Sequence, residues 1–497
     1  TTAYSNVFVG EQAGYGNTTG YSNIFVGQDA GYFNTTGIEN TFVGTDAGEQ
    51  NTTAVGNSFF GTNAGFLTTT GTNNTFIGRN AGHDNSTGYY NQALGSSALY
   101  TNTSGYENTA IGVFAMRYNT TGNNNVALGT NALYSSTGGN NNIAIGPSAL
   151  YANLTGVQNI AIGYQALQDN TAHWNIAIGQ QALWENTTGN YNIAIGIQSL
   201  LYNTAGIENT SIGSYAMYYN TTGNSNTTVG YYSLQDNTTG GNNTSIGTGA
   251  LESNTTASDN TAAGYEAMNL NTTGYSNAAV GRGALYANTT GESNSAFGDG
   301  AGGLNDLNTN CTFIGYDADQ AVFTNFDNST ALGNGSRITA SNQVRVGNAS
   351  VTSIGGYANW TNISDGRFKT DVQQNVPGLD FIMELKPVTY HLDIAAINSG
   401  LNVSDVNPSA VQEKSAVLQS GFIAQEVEAA AKKINYDFSG VDLPQSDDDF
   451  YGLRYAEFVV PLVKAVQEQQ AMIEAQQKQI DQLLQQVESL TTAKAER

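Results

Sequence analysis

Cysteine, basic side chains and long apolar runs are nearly missing from this 497-residue chain, and each shortage removes a class of answer. The single cysteine, Cys311, excludes an internal disulfide framework and a zinc site built from several thiolates, and is expected to be a packed thiol rather than half of an intermolecular bridge. Between Thr1 and Gly315 the only Lys or Arg side chains are Arg79, Arg117 and Arg282, and the formal net charge is −24. Such a surface repels nucleic acid and anionic membranes, so neither is an expected partner. No apolar run approaches the ~20 residues that span a bilayer. The sequence opens at Thr1 with neither Met nor a signal-like segment, which fits an export signal already removed. Charged residues amount to only 11%, too few for a charge-rich disordered chain, while the length exceeds one compact core. A repeat architecture satisfies both constraints.

A glycine recurs every 17 residues from Gly10 to Gly163 and, after one single-residue deletion, from Gly179 to Gly315, making nineteen units. Such fidelity places every unit in the same backbone environment, as in the coils of a solenoid. Asn stands four residues before the glycine in eighteen of the nineteen units, with Cys311 as the exception. Stacked identical amides predict an internal hydrogen-bonded ladder. Three residues after the glycine the residue is always Ala or Ser, as in Ala30 and Ser199, which predicts a tight corner. The segment before the glycine, such as Ile143-Ala144-Ile145, reads as a short strand. Its last two residues point to opposite faces yet are commonly both apolar. One face therefore fills the coil, and the other requires a partner chain.

Two further positions exchange volume. The first five units carry Phe two residues before the glycine (Phe8 to Phe76) and Gly four residues after it (Gly14 to Gly82); the next twelve pair Ala, Ser or Thr with Leu or Met, as in Ala144 with Leu150. Conserved total volume predicts contact inside one core. The rest of each unit is an Asn-Thr-Thr-Gly turn, as at Asn17 to Gly20. Many of these turns are also N-glycosylation sequons, although their spacing follows the repeat and favours turn chemistry. At one coil per ~4.8 Å, nineteen coils would make a rod roughly 90 Å long.

The string Asn142-Ile143-Ala144-Ile145-Gly146, repeated at Asn192 to Gly196, resembles the head repeats of trimeric autotransporter adhesins. That resemblance implies a β-roll packed as a trimer, although the adhesin repeat is shorter than 17 residues. Aromatic residues five positions after the repeat glycine (Tyr15, Tyr32, Tyr134, Tyr151, Trp184 and Tyr286) either stack on sugars or cap the corners. The paired Thr residues lie in a turn and lack the flat alternation that ice binding would need.

After Gly315 the repeat fades, with last echoes at Gly333 and Gly347, and Lys first appears at Lys369. Three motifs follow: Ser364-Asp365-Gly366-Arg367-Phe368-Lys369, then Leu385-Lys386-Pro387-Val388-Thr389-Tyr390, then Gly421-Phe422-Ile423-Ala424-Gln425-Glu426-Val427. In this order they resemble the endosialidase-type intramolecular chaperone, a self-cleaving domain at the ends of phage tail spikes and fibres. The resemblance implies that Ser364 is the nucleophile and Lys369 its base. A serine hydroxyl needs such a base, and lysine serves only where burial or a nearby cation, here Arg367, favours its neutral form. The bond between Ile363 and Ser364 would then break once per chain; cleavage before Asp365 stays open. His83 and His391 read as structural, and Asp447-Asp448-Asp449 as a solvated loop lacking the spacing of a calcium site.

Val459, Val466, Ile473, Ile480 and Val487 fall on one heptad position, and Leu462, Gln469, Gln476, Leu483 and Leu490 on the other, predicting a coiled coil. The expected architecture is mainly β: a 17-residue-repeat parallel β-solenoid over 1–318, a neck over 319–363, a small α+β chaperone domain over 364–455 and a trimeric coiled-coil helix over 456–497. The expected function is a structural, receptor-binding subunit of a homotrimeric extracellular fibre, on a virion tail or a bacterial surface, touching a glycan or protein receptor and using no cofactor or metal. A bacterial adhesin or filament subunit is the alternative. A glycan depolymerase is weaker, because paired carboxylates at a constant place are missing.

Overall fold

The computed structural model describes residues 3–304, 306–357, 360–403, 407–446 and 449–495. The chain divides into two compact units, Thr1–Asp319 and Gln320–Arg497.

The first unit is a parallel β-solenoid with one three-residue strand per coil, from Val7–Val9 to Thr312–Ile314. Strands pair in register at the repeat spacing, as Ile143 with Ile160 and Ala144 with Ala161. The repeat glycine adopts φ near +140°, as Gly129 does, a conformation that strains any residue with a Cβ. There is also no room for one: a Cβ on Gly129 would lie 2.6 Å from the carbonyl oxygen of Gly146, one coil on. The single-residue deletion is absorbed in a turn. Asn170 reaches the carbonyl of Ala172 two residues on, where Asn153 reaches Gly156 three residues on, and the strands on either side stay paired.

The middle residue of each strand points inward, and its volume decides what lies opposite. A Cβ on Gly48 would sit 2.6 Å from Phe42 Cε2, so the Phe ring occupies the space that a side chain at Gly48 would need. In the sixth to seventeenth coils Ala, or Ser or Thr at Ser211, Thr228 and Ser245, takes the strand position and Leu or Met fills the core, both fully buried at Ala144 and Leu150. Leu150 holds φ at +52° to do so, a strain of about 1–2 kcal/mol that its burial offsets. The predicted contact between the two positions is present.

The Asn ladder runs through the interior. Asn142 Oδ1 accepts from the Asn159 backbone N–H at 3.0 Å, and Asn142 Nδ2 donates to Gly156 O at 2.8 Å. A second buried ladder, not anticipated, is formed by the Asn of the Asn-Thr-Thr-Gly turns: Asn102 Nδ2 donates to Asn85 Oδ1, and Asn119 Nδ2 to Asn102 Oδ1 at 2.8 Å. These amides are fully buried, so the sequons are internal turn elements in the folded coil. The first Thr of the turn donates its hydroxyl to a carbonyl one coil on, as Thr35 does to Thr52 O at 2.9 Å. Cys311 occupies the last place of the first ladder, 1% exposed, with its N–H on Asn294 Oδ1.

The second unit opens with two short parallel strands, Thr330–Leu332 and Val344–Val346, each followed by Gly333 or Gly347. Residues 350–357 and 360–363 are without regular structure and mostly exposed. A small α/β region follows, comprising α1 (Leu379–Ile382), α2 (Ile394–Gly400), α3 (Pro408–Ser415) and α4 (Ala424–Lys433), with two antiparallel strand pairs. Phe381, Val427, Ala430, Ala431, Phe438 and Phe458 form its core. The chain ends in α5 (Val459–Ala495), 37 residues long. No helix of the described residues is long and apolar enough to cross a membrane.

Candidate active site

Ser364 and Lys369 stand at the two ends of one 3-10 turn, Gly366–Phe368. Asp365 caps the turn by accepting the Arg367 N–H at 2.9 Å, and Lys369 N–H closes it on Gly366 O at 3.2 Å. This reversal carries Lys369 Nζ to 2.8 Å from Ser364 Oγ. A hydroxyl and an amine at that distance can exchange a proton once the amine is neutral.

Arg367 takes a different place from the one anticipated. Its guanidinium is engaged by Asp365, with Nε at 2.9 Å from Oδ2, and this pairing holds the Asp365 carboxyl below its ordinary range. The charge expected to act on Lys369 is thus largely neutralised by its pairing with Asp365. The turn has no buried residue, and both Ser364 and Lys369 are exposed in the single chain.

The other two motifs build the scaffold. Val388–Tyr390 pairs antiparallel with Gln419–Gly421, joining the second motif to the third. Gly421 is required because a Cβ there would lie 2.3 Å from Tyr455 Oη, which accepts the Phe422 N–H at 3.1 Å. Past Ile423 the chain enters α4, whose buried face packs on the aromatic core. Sequence reasoning missed Tyr455, one of three tyrosines, with Tyr436 and Tyr451, between the third motif and the start of the heptads.

The remaining candidates separate clearly. His83 lies in an aromatic ladder, stacked at 5.1 Å on Phe66 and 4.7 Å on Tyr100, with Nδ1 against Asp84 Oδ1. Four of the solenoid aromatics stack in pairs, Tyr134 on Tyr151 at 4.9 Å and Tyr15 on Tyr32 at 5.2 Å; Tyr32, Tyr134, Tyr151 and Trp184 are half-buried, whereas Tyr15 and Tyr286 are exposed. Asp447 and Asp448 lie outside the described residues. Asp449 departs from the solvated-loop reading: its side chain is 4% exposed because it is drawn inward to Thr339 Oγ1 and the Gln445 N–H. Among the described residues no group of three His, Cys, Asp or Glu side chains is placed to hold a metal ion.

Residues 364–435 match the model of a protein family described as chaperone of endosialidase, beginning on Ser364 and ending just past α4. No curated protein matches the chain.

Proposed function

We propose that this chain is the receptor-binding structural subunit of a homotrimeric extracellular fibre of the tail-fibre kind, whose C-terminal part assembles the trimer and is then severed from the shaft by autocleavage at Ser364. The observation that carries assembly is the uncovered seam of α5. Val459, Leu462, Val466, Ile473, Ile480, Leu483, Val487 and Leu490 are each about half exposed or more on one chain, a surface that water disfavours until other helices cover it. The solenoid adds a second apolar row at the third strand position, including Leu94, Ile111, Ile246 and Phe297. The number three comes from the resemblance to trimeric fibres.

For cleavage, Ser364 Oγ attacks the Ile363 carbonyl carbon and its proton passes to Lys369 Nζ. The Ile363–Ser364 C–N bond breaks, the released Ser364 amine takes the proton from Lys369, and an ester joins Ile363 to Ser364 Oγ. Water then hydrolyses the ester, leaving the Ile363 carboxylate and a free Ser364. The exposed dyad gains the burial that a lysine base needs when copies pack together, which couples the cut to assembly. Breaking the covalent link between chaperone and shaft deletes the reverse path and leaves the fibre kinetically trapped.

Intact-mass spectrometry tests the reading. The wild-type chain should yield fragments ending at Ile363 and starting at Ser364 once trimers form, and Ser364→Ala should stay whole. An intact wild-type chain in assembled trimers would sink the cleavage claim.

A further inference from the structure

Once the covalent link between Ile363 and Ser364 is broken, only non-covalent contacts can hold the chaperone to the neck. The neck segment around Thr339 is buried, with Arg337 6%, Ile338 0% and Thr339 1% exposed. Asp449, 110 residues further on, places Oδ1 on Thr339 Oγ1. Arg345, from the neck strand, brings Nη2 to 3.8 Å from the same carboxylate and 3.4 Å from Thr339 Oγ1. Gln343 Oε1 accepts from Thr339 N–H at 3.0 Å, fixing the neck loop in the shape that Asp449 meets. A second contact lies apart from the first: Asn402 Nδ2 donates to Ala321 O at 2.7 Å. Beside Thr339 is a cleft of about 280 Å³ with Arg337 and Arg345 on its neck side and Ile397, Leu401, Phe450 and Tyr451 on the other. By contrast, residues 351–357 and 360–363, which link the neck to Ser364, are exposed.

We propose that this surface of the chaperone, centred on Asp449, recognises the folded neck as its docking partner and retains the chaperone non-covalently once the chain is cut. Asp449 finds Thr339 and Arg345 in place only after the neck strands have paired, so the clasp reads the completed end of the shaft. A carboxylate and a hydroxyl donor nearly closed to water, with the partly exposed Arg345 guanidinium at their edge, form a polar interface whose buried members lose their partners together when one is removed. The proposal rests on the cleavage reading for its consequence, and on the geometry alone for the contact.

The test separates the two by making the cut externally. A specific protease site is inserted after Gly356 in the full-length Ser364→Ala chain, the assembled protein is cut there, and the C-terminal fragment is followed by size-exclusion chromatography. The fragment should co-elute with the shaft, and Asp449→Ala should release it at least tenfold faster. Thr339→Val, which changes only the neck and leaves the chaperone sequence intact, should do the same, whereas Glu384→Ala, which breaks the exposed pair with Lys433, should not. Immediate loss of the fragment from the chain with an intact clasp, or unchanged retention in both Asp449→Ala and Thr339→Val, would overturn the proposal whether or not Ser364 cleaves.

Discussion

At the scale of single residues the chemistry is concentrated in two places, and both respond to proton transfer. Lys369→Met keeps the length of the side chain and removes the amine that lies 2.8 Å from Ser364 Oγ, so the assembled protein should remain uncut on an intact-mass spectrum; cleavage at the wild-type rate would remove Lys369 from the mechanism. Burial pushes the Asp449 carboxyl up, but hydrogen bonds from Thr339, Gln445, Phe450 and Gln343 outweigh that and hold it below the usual value. Its folded-state pKa is therefore depressed, and its contribution is complete above the ordinary carboxylate range, about pH 4, and lost as pH falls through the lower folded value. The facing charges are Arg345, Arg337 across the cleft, and Asp442, which is paired with Arg454. The cut chaperone should thus stay docked at pH 5 and dissociate only under stronger acid, read by sedimentation at stepped pH. Release between pH 7 and 5 would count against Asp449. The Ser364–Lys369 pair was expected only from the resemblance to self-cleaving chaperones, since a serine and a lysine five residues apart say little until a turn brings them to 2.8 Å. Asp449 was not, since three consecutive aspartates look solvated until the fold supplies Thr339.

At the scale of the coil, the period revealed the strand, the corner and one Asn ladder, because each recurs with a side chain that has a single plausible use. The second ladder was hidden in plain turn chemistry: Asn and Gly explain an Asn-Thr-Thr-Gly turn without any appeal to burial. What could have exposed it is the near-invariance of that Asn, interrupted at Thr68 and Ser136. Those two interruptions have a physical mark. Among the described residues, Thr68 Oγ1, Ser136 Oγ, Asn51 Oδ1 and Asn119 Oδ1 are buried without a hydrogen-bond partner. Each break thus orphans the hydroxyl itself and the amide oxygen one coil before it. Replacing Ser136 by Asn would give Asn119 Oδ1 a donor and Asn153 Nδ2 an acceptor, in a site that the neighbouring coils fill with the same side chain. Each restored bond contributes about 1 kcal/mol, so Ser136→Asn should raise the melting temperature of the shaft. A lowered one would mean that the coil around Ser136 is built differently from its neighbours.

At the scale of the whole molecule, both units carry apolar surface that one chain cannot cover, and the two surfaces differ in kind. The solenoid row is shallow and repeats with every coil, whereas the α5 seam is a compact heptad stripe interrupted by Gln469 and Gln476. A long shallow row gains little from any one coil and gives weak register, since a shift by one coil meets nearly the same surface. A seam with two polar layers discriminates between registers, because a slip by one heptad would set a Gln against Leu462 or Leu483 and cost it its partners. The difference favours the proposed order of assembly, in which the helix sets the alignment and the shaft packs afterwards. Ile473→Lys with Ile480→Lys places cations in the centre of that seam while leaving the 364–435 region untouched. Sedimentation velocity should find the double variant largely monomeric, and mass spectrometry should find it uncut, because an unassembled chain leaves Ser364 and Lys369 in water. If the variant were monomeric yet cleaved, the dyad would be complete within one chain. If it assembled normally, the solenoid row rather than α5 would be what gathers the chains.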